Sequence, residues 1–459
     1  MEFEPEIQDL INRFENTINQ GIVQYYDTDD LETIIDCYIT INQYDKAHIA
    51  LDYAYRIHPN SDKIKCAEAK IHLLEERYAD AIEILETIRN LEPDYIAILA
   101  ECYIHTFKFN KAKSLFLQYL TICNTKELAA IFTDIASLFN LYKQSNTALE
   151  FIDNGLALFP DDNNLLVEKA ISLDELEQYA KAETILSKVI NANPYQHEVW
   201  GLLGSLQFRQ NKITEALSSY EYALAINPND EQAKLQHAHC LFNLGRYHDA
   251  IEPYKEFVEK HPDDDMVLTF LAETYENLNQ WDKALPIYQK VLELNNSMPV
   301  GWIGCACCLH NMNEIAAAYE IIEEAEKKFP DTIDVIYYRA LIERDIAFSK
   351  KDDSFLNLAV HHFMRCLEMA PDNPAICYET GMILTQVADY EKALPLLLKA
   401  YDLNPSFDRI HILLAVANYG VGNKKIAYEH LNLARATMSD TADDIFFTIF
   451  PNISPFEEV

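Results

Sequence analysis

Three groups of residues in this chain have side chains that carry chemistry. Cys305, Cys307 and Cys308 lie within four positions, His237, His239 and Cys240 within another four, and His361 and His362 are adjacent. Thiolates and imidazoles are zinc ligands when enough of them converge. Helical geometry separates these. Each residue advances about 100° around a helix, so Cys305 and Cys307 diverge by about 200° while Cys305 and Cys308 are neighbours. Two thiolates without a second pair make a poor zinc site, and cysteine is also a small core filler. His237 and His239 diverge in the same way, and His361 and His362 by about 100°. There is no H-E-x-x-H, no G-x-x-x-x-G-K-[ST], no G-x-G-x-x-G and no G-x-S-x-G. The expectation is a chain with no catalytic residues, no metal and no cofactor.

What positions these residues is a repeat. Pro160, Pro194, Pro228 and Pro262 are each 34 apart; Asn296 takes the next beat, and Pro330, Pro371 and Pro405 resume the series that Pro59 and Pro93 begin. Proline just past a helical run stops it. Alanine marks the same register at Ala47, Ala81, Ala112, Ala148, Ala182, Ala216, Ala250, Ala284, Ala318, Ala359, Ala393 and Ala427. A second small series falls twelve residues earlier, among them Ala69, Ala100, Ala136, Ala170, Gly204, Ala238, Ala272, Ala306, Gly381 and Ala415, with Ala340 before an insertion. Two antiparallel helices approach closely only where side chains are small, so one series belongs on the first helix of each unit and the other on the second.

The unit HEVWGLLGSLQFRQNKITEALSSYEYALAINPND, residues 197–230, resembles a tetratricopeptide repeat. Trp200, Leu203, Gly204, Ala216, Tyr220, Ala223 and Pro228 stand at that family's signature positions, and Gln207 departs from its usual tyrosine. The resemblance implies an all-α fold: a right-handed superhelical solenoid of about twelve hairpins, in units 28–61, 62–92, 93–128, 129–162, 163–196, 197–230, 231–264, 265–298, 299–332, 333–373, 374–407 and 408–441. The stretch YYDTDDLETII also resembles multi-repeat proteins of Bacteroidota.

Outside the units, Ile7, Leu10, Ile11, Phe14 and Ile18 form the stripe of one amphipathic helix over residues 5–20, with Gly21 as its stop. Residues 1–27 are therefore expected to cap the open face of the first unit, as solenoids require. The acidic-aromatic segment 442–459, with Phe446, Phe447, Ile449, Phe450 and Phe456, is expected either to fold back as a second cap or to dock in another molecule's groove. Seven extra residues around 349–355 read as a lengthened hairpin loop, with a contact loop as the alternative.

Composition limits the partners. With 37 basic and 73 acidic residues the net charge is −36, which opposes nucleic acid and anionic membranes. No run reaches the roughly 18 apolar residues of a membrane helix, and the acidic start is unlike a signal peptide. The expected location is cytoplasmic, with no nucleic acid and no membrane insertion. The resemblance implies a protein or peptide partner in a concave groove lined by first helices. Carried over position by position, that groove takes in Phe208, Arg209, His239, Phe242, Asn243, Glu273, Asn277, His310, Asn311, Tyr337, Arg344, Tyr378 and Tyr419. Aromatic faces would supply contact area and amides would bond a peptide backbone. A carboxylate clamp of the kind some family members use is disfavoured, because Glu101 and Ser137 follow Lys63 and Lys70 at the matching positions. The reading is a non-enzymatic interaction scaffold. Self-association through caps or tail and a peptide-sensing regulator are the alternatives.

Overall fold

The computed structural model describes residues 4–123, 128–438 and 440–451. Among them the chain is helices and short connections, in two compact units that divide after Asn229.

In the first unit, helix Pro5–Gln20 precedes six hairpins. These pair Thr28–Thr40 with Tyr44–Ile57, Asp62–Leu74 with Tyr78–Glu86, and Pro93–His105 with Phe109–Ile122. Leu128–Leu141 follows with Ser145–Leu158, Asn163–Glu175 with Tyr179–Ala192, and His197–Arg209 with Ile213–Ile226. The second unit pairs Glu231–Asn243 with Tyr247–Lys260, Asp265–Asn277 with Trp281–Leu294, and Pro299–Asn311 with Ile315–Lys328. It continues with Ile333–Lys350 and Asp353–Met369, Pro374–Gln386 and Tyr390–Leu403, and Ile410–Gly420 and Lys424–Met438, and closes on helix Asp440–Ile449.

The small residues sit where the helices of a hairpin cross. Ala47, Ala148, Ala216, Ala284, Ala359 and Ala427 are completely buried, as are the other second-helix alanines of the series. Aromatic rings fill the adjoining space: a Cβ added at Gly204 would come within 2.9 Å of the Tyr220 ring, and one at Gly304 within 2.4 Å of the Tyr288 ring.

Every hairpin turns the same way. One connecting residue takes the left-handed conformation, as at Asn42, Asn211, Gly245 and Gly422, and also at Glu76, Phe107, Lys143 and Ala388. The residue after it donates its N–H five positions back, for example Gln43 to Tyr38 O (2.8 Å), Lys108 to Tyr103 O (2.7 Å) and Asn423 to Asn418 O (2.8 Å). That 6→1 bond is the Schellman closure, which satisfies carbonyls the helix end would leave open. Going the other way, prolines 59, 160, 228, 262 and 371 each lie two residues before a capping side chain: Ser61, Asp162, Asp230, Asp264 and Asn373 accept from the first turn of the next helix.

Both ends are covered. Leu10, Ile11 and Phe14 are buried, with Ile7 and Ile18 packed alongside, and Gly21 ends that helix at φ 64°. In the closing helix Phe446 is buried, and its ring meets Tyr419 at 5.4 Å and Phe450 at 5.4 Å. The tail thus folds back over the last hairpin through residue 451; Phe456 lies outside the described residues.

The insertion differs from expectation. Residues 349–355 do not form a lengthened loop. They wind into the helices, which run 18 residues over Ile333–Lys350 and 17 over Asp353–Met369, against 13 and 14 in the preceding hairpin. Only Lys351 and Asp352 connect them, with Lys351 at φ 54° and Asp352 capping Ser354 N. Continuing the backbone ladder satisfies groups that a loop would leave to solvent. Beneath these helices lies a charge network. Glu343, fully buried, accepts from Arg339 Nε (2.9 Å) and pairs with His362 Nδ1 (2.6 Å); Arg339 and Arg365 also reach Glu326 on the preceding hairpin.

The crossings predict opposite signs for two glycine-to-alanine changes. Gly304→Ala forces the buried Tyr288 ring to move and should cost about 1–3 kcal/mol. Gly201→Ala, with nothing within 4 Å of the new Cβ, should gain about 0.5–1 kcal/mol from helix propensity. Urea denaturation of both variants measures the difference.

Candidate functional site

First helices of neighbouring hairpins adjoin within each unit, and a ladder of ion pairs stitches them. In the first unit Lys63 reaches Asp29 (2.5 Å), Lys70 reaches Asp36 (2.7 Å) and Arg209 reaches Asp174 (2.7 Å). In the second, His310 Nε2 lies 2.9 Å from Asp345 Oδ2, and Arg344 bonds both Asp345 Oδ1 (2.8 Å) and Glu379. Each cross-helix rung joins residues 34 or 35 apart. One repeat length brings the same helical face of the next hairpin alongside.

This ladder uses several residues that the sequence offered to a partner. Arg209, His310 and Arg344 are all engaged within the chain. Burial pulls the Asp345 carboxyl upward, but hydrogen bonds from His310 and Arg344 outweigh it and hold Asp345 below its ordinary value. Glu379 goes the other way: burial raises it despite Arg344. Asp345, Glu379 and Asp174 were not foreseen as part of this face. Only their matching distance from a basic residue one repeat away could have signalled them.

Three aromatic candidates are half-buried against other rings. Tyr337 lies edge-on to Tyr338 (5.9 Å) and Phe363 (6.1 Å), and burial, with Glu379 nearby, lifts its hydroxyl to about 12. Tyr378 stacks on Phe407 at 4.6 Å and donates to Asp408 O at 2.5 Å. Tyr419 meets Phe450 at 4.6 Å, beneath the closing helix. The tail that caps the array therefore covers Tyr419.

The remaining candidates gather on three consecutive first helices of the second unit, apart from Phe208, which is half-buried in the first unit. Phe242 and His239 pack on Phe270 at 5.6 and 4.6 Å, and His239 also bonds Tyr254 Oη at 2.8 Å. Burial holds His239 below its ordinary value, hence neutral. Asn243, Asn277 and Asn311 are exposed and spaced 34 apart. Each donates Nδ2 to the carbonyl four residues earlier, at 2.8, 2.8 and 2.9 Å, on His239, Glu273 and Cys307. These bonds orient the amides and leave their oxygens as acceptors. Beside them Glu273 is raised by burial and then by Glu276. Glu276 accepts from Tyr288 Oη (2.6 Å) and Cys307 Sγ (3.4 Å).

The cysteines have a packing role. Cys305 and Cys307 are buried, and desolvation pushes both thiols up to about 12, which keeps them protonated and unreactive. Among the described residues no three His, Cys, Asp or Glu side chains are placed to hold a metal ion, and no helix is long and apolar enough to cross a membrane.

Hairpins of 34 residues with buried small residues at both crossing positions match what the sequence motif implies. A family model, the cytochrome c-type biogenesis protein H TPR domain, matches residues 167–298. The chain is a tetratricopeptide-repeat protein. It is similar to protein FlbA of Caulobacter vibrioides, 23% identical over 40% of this chain and 31% of that one. It is also similar to anaphase-promoting complex subunit 3 of Schizosaccharomyces pombe, 20% identical over 62% of this chain and 37% of that one. The repeat protein therefore spans about a third of the length of these curated relatives. Among solved structures, a tetratricopeptide repeat protein from Parabacteroides merdae aligns with 56% of this chain and 98% of its own, at 21% identity and a TM-score of 0.47.

Two predictions follow from the charges. Arg344→Ala leaves Asp345 and Glu379 without their shared donor and should destabilise the second unit by roughly 1–3 kcal/mol, read from urea denaturation. Glu273 has a folded value above its unfolded one, so it favours folding least when ionised and stability falls as pH rises past 4.5. Glu273→Gln should therefore raise Tm at neutral pH, with the gain shrinking to nothing as pH falls below that value. An equal gain at all pH values would contradict this assignment.

Proposed function

We propose that this repeat protein is a non-catalytic interaction scaffold that holds an extended segment of a partner protein against the first helices of its second unit. The observation that carries the reading is the asparagine ladder at Asn243, Asn277 and Asn311. Packed helices lie about 8–10 Å apart, close to three residues of extended chain at about 3.3 Å each. An extended segment crossing the ladder would meet one fixed amide per helix, with Phe242 and Tyr247 (5.4 Å between rings) supplying apolar area at one end. The side chains are already held by intrahelical bonds, so little entropy is lost when they engage. The relative named as a subunit of the anaphase-promoting complex is in keeping with assembly as the activity.

The test uses a partner identified by affinity capture and then purified. Asn277→Ala, at the centre of the ladder, should weaken its binding by about tenfold, or 1.4 kcal/mol, and Phe242→Ala by a similar amount. Both variants should keep the helical circular dichroism of the parent. Unchanged affinity in Asn277→Ala rules the ladder out as the binding element.

A further inference from the structure

The second hairpin is irregular in a way that none of the foregoing uses. Its second helix, Tyr78–Glu86, has 9 residues, whereas the corresponding helices before and after it, Tyr44–Ile57 and Phe109–Ile122, have 14. Five residues are about one and a half turns. Along that helix runs a cleft of about 410 Å³, walled by Tyr55, Glu68, His72, Arg77, Glu83 and Ile84.

The polar groups of this cleft are unevenly satisfied. Its cations are occupied: Arg77 is held by Asp80 at 2.6 Å, and Lys65, at the rim, by Asp62 at 3.0 Å. Its acceptors are not. His72 is only 7% exposed, yet its Nδ1 has no hydrogen-bond partner. The nearest carboxylate oxygens, on Glu68 and Glu75, are each 3.8 Å from a ring nitrogen, beyond bonding distance. Glu68 accepts the Tyr55 hydroxyl on one oxygen and turns the other toward His72 Nε2. Glu83 is exposed at the cleft wall. A buried polar atom left unpaired costs about 1–3 kcal/mol, so a donor placed here would recover energy the fold forgoes.

We infer that this cleft binds a guanidinium or alkylammonium group, seated between Glu68, Glu83 and the imidazole of His72. Such a group brings several N–H donors and a positive charge to a site whose free groups are acceptors and carboxylates. The aliphatic stem of the ligand lies along Ile84. Glu68 faces Nε2 while Nδ1 has no partner, so the tautomer protonated on Nε2 leaves Nδ1 as the acceptor for one N–H of the ligand, and the carboxylates take the others. The site is separate from the asparagine ladder, and its test does not depend on that reading.

Titration of the full chain with n-butylguanidinium, followed by calorimetry and by the ring-nitrogen resonances of His72, tests the assignment. Saturable 1:1 binding that shifts His72 is expected. Glu83→Gln, at an exposed position, and His72→Phe, which keeps a ring of similar bulk, should each weaken binding about tenfold or more, equivalent to 1.4 kcal/mol. Glu215→Gln, an equal loss of charge on another exposed helix position, should leave it unchanged. Titration with the capped peptide Ala-Arg-Ala separates the sources: tighter binding than the free cation assigns the site to a partner's arginine, equal binding to a small cation, and either upholds the site. Absence of saturation with both probes, or equal weakening by Glu83→Gln and Glu215→Gln, overturns it.

Discussion

The closest approach of two helices governs this protein. At each hairpin crossing a side chain larger than alanine would hold the helices apart, and the twelve second-helix alanines of the series are all fully buried. Close approach puts aromatic rings in contact with the facing backbone, within a hairpin at Tyr220 and Gly204 and between neighbouring hairpins at Tyr288 and Gly304. Because interiors are close-packed, these contacts set the angle of each hairpin to within the tolerance of a ring. Everything outward of the crossing inherits that angle. First helices then meet their neighbours one repeat further on, which is why ion pairs recur at 34 or 35 residues and why three asparagines fall in line.

The sequence reveals the crossing because its demand is steric and local: smallness at fixed intervals survives as alanine and glycine. Other features are invisible to the same inspection. The hairpin turns need a left-handed residue, but glutamate, phenylalanine, lysine and alanine fill that place at 76, 107, 143 and 388. The 6→1 backbone bond stabilises the turn whatever the side chain, so no glycine signal is required. The insertion at 349–355 reads as loop because it adds seven residues to the repeat, yet extra residues can equally lengthen the two helices. The ion pairing of Arg344 is hidden for a different reason. A groove position shows where a side chain sits, not which neighbour has claimed its charge, and Glu379 lies 35 residues away. Tyr419 was placed by repeat register alone, which takes no account of a tail folding back over the last unit.

The first-helix face of each unit is consequently divided. Its charged residues are largely spent on holding hairpins together, in rungs such as Lys70 with Asp36 and Arg344 with Glu379. Its amides are tied only to their own helices and keep an acceptor free. In the proposed binding mode, these neutral amides meet a partner without the desolvation that ionised side chains would demand.

The network around Glu343 bears on how such a chain avoids errors while folding. Similar hairpins in series offer one another many nearly equivalent neighbours, and misassembly between them is a characteristic failure of repeat proteins. Glu343 is wholly buried and accepts from Arg339 and His362 of its own hairpin, while Arg339 and Arg365 reach Glu326 on the hairpin before it. Docked on a neighbour lacking a carboxylate at the place of Glu326, this pair of helices would leave the largely buried Arg339 guanidinium short of an acceptor. Removing one partner of a buried ion pair costs about 3–5 kcal/mol. The tenth hairpin thus acts as a keyed joint: among units that could otherwise be shuffled, it recognises the ninth.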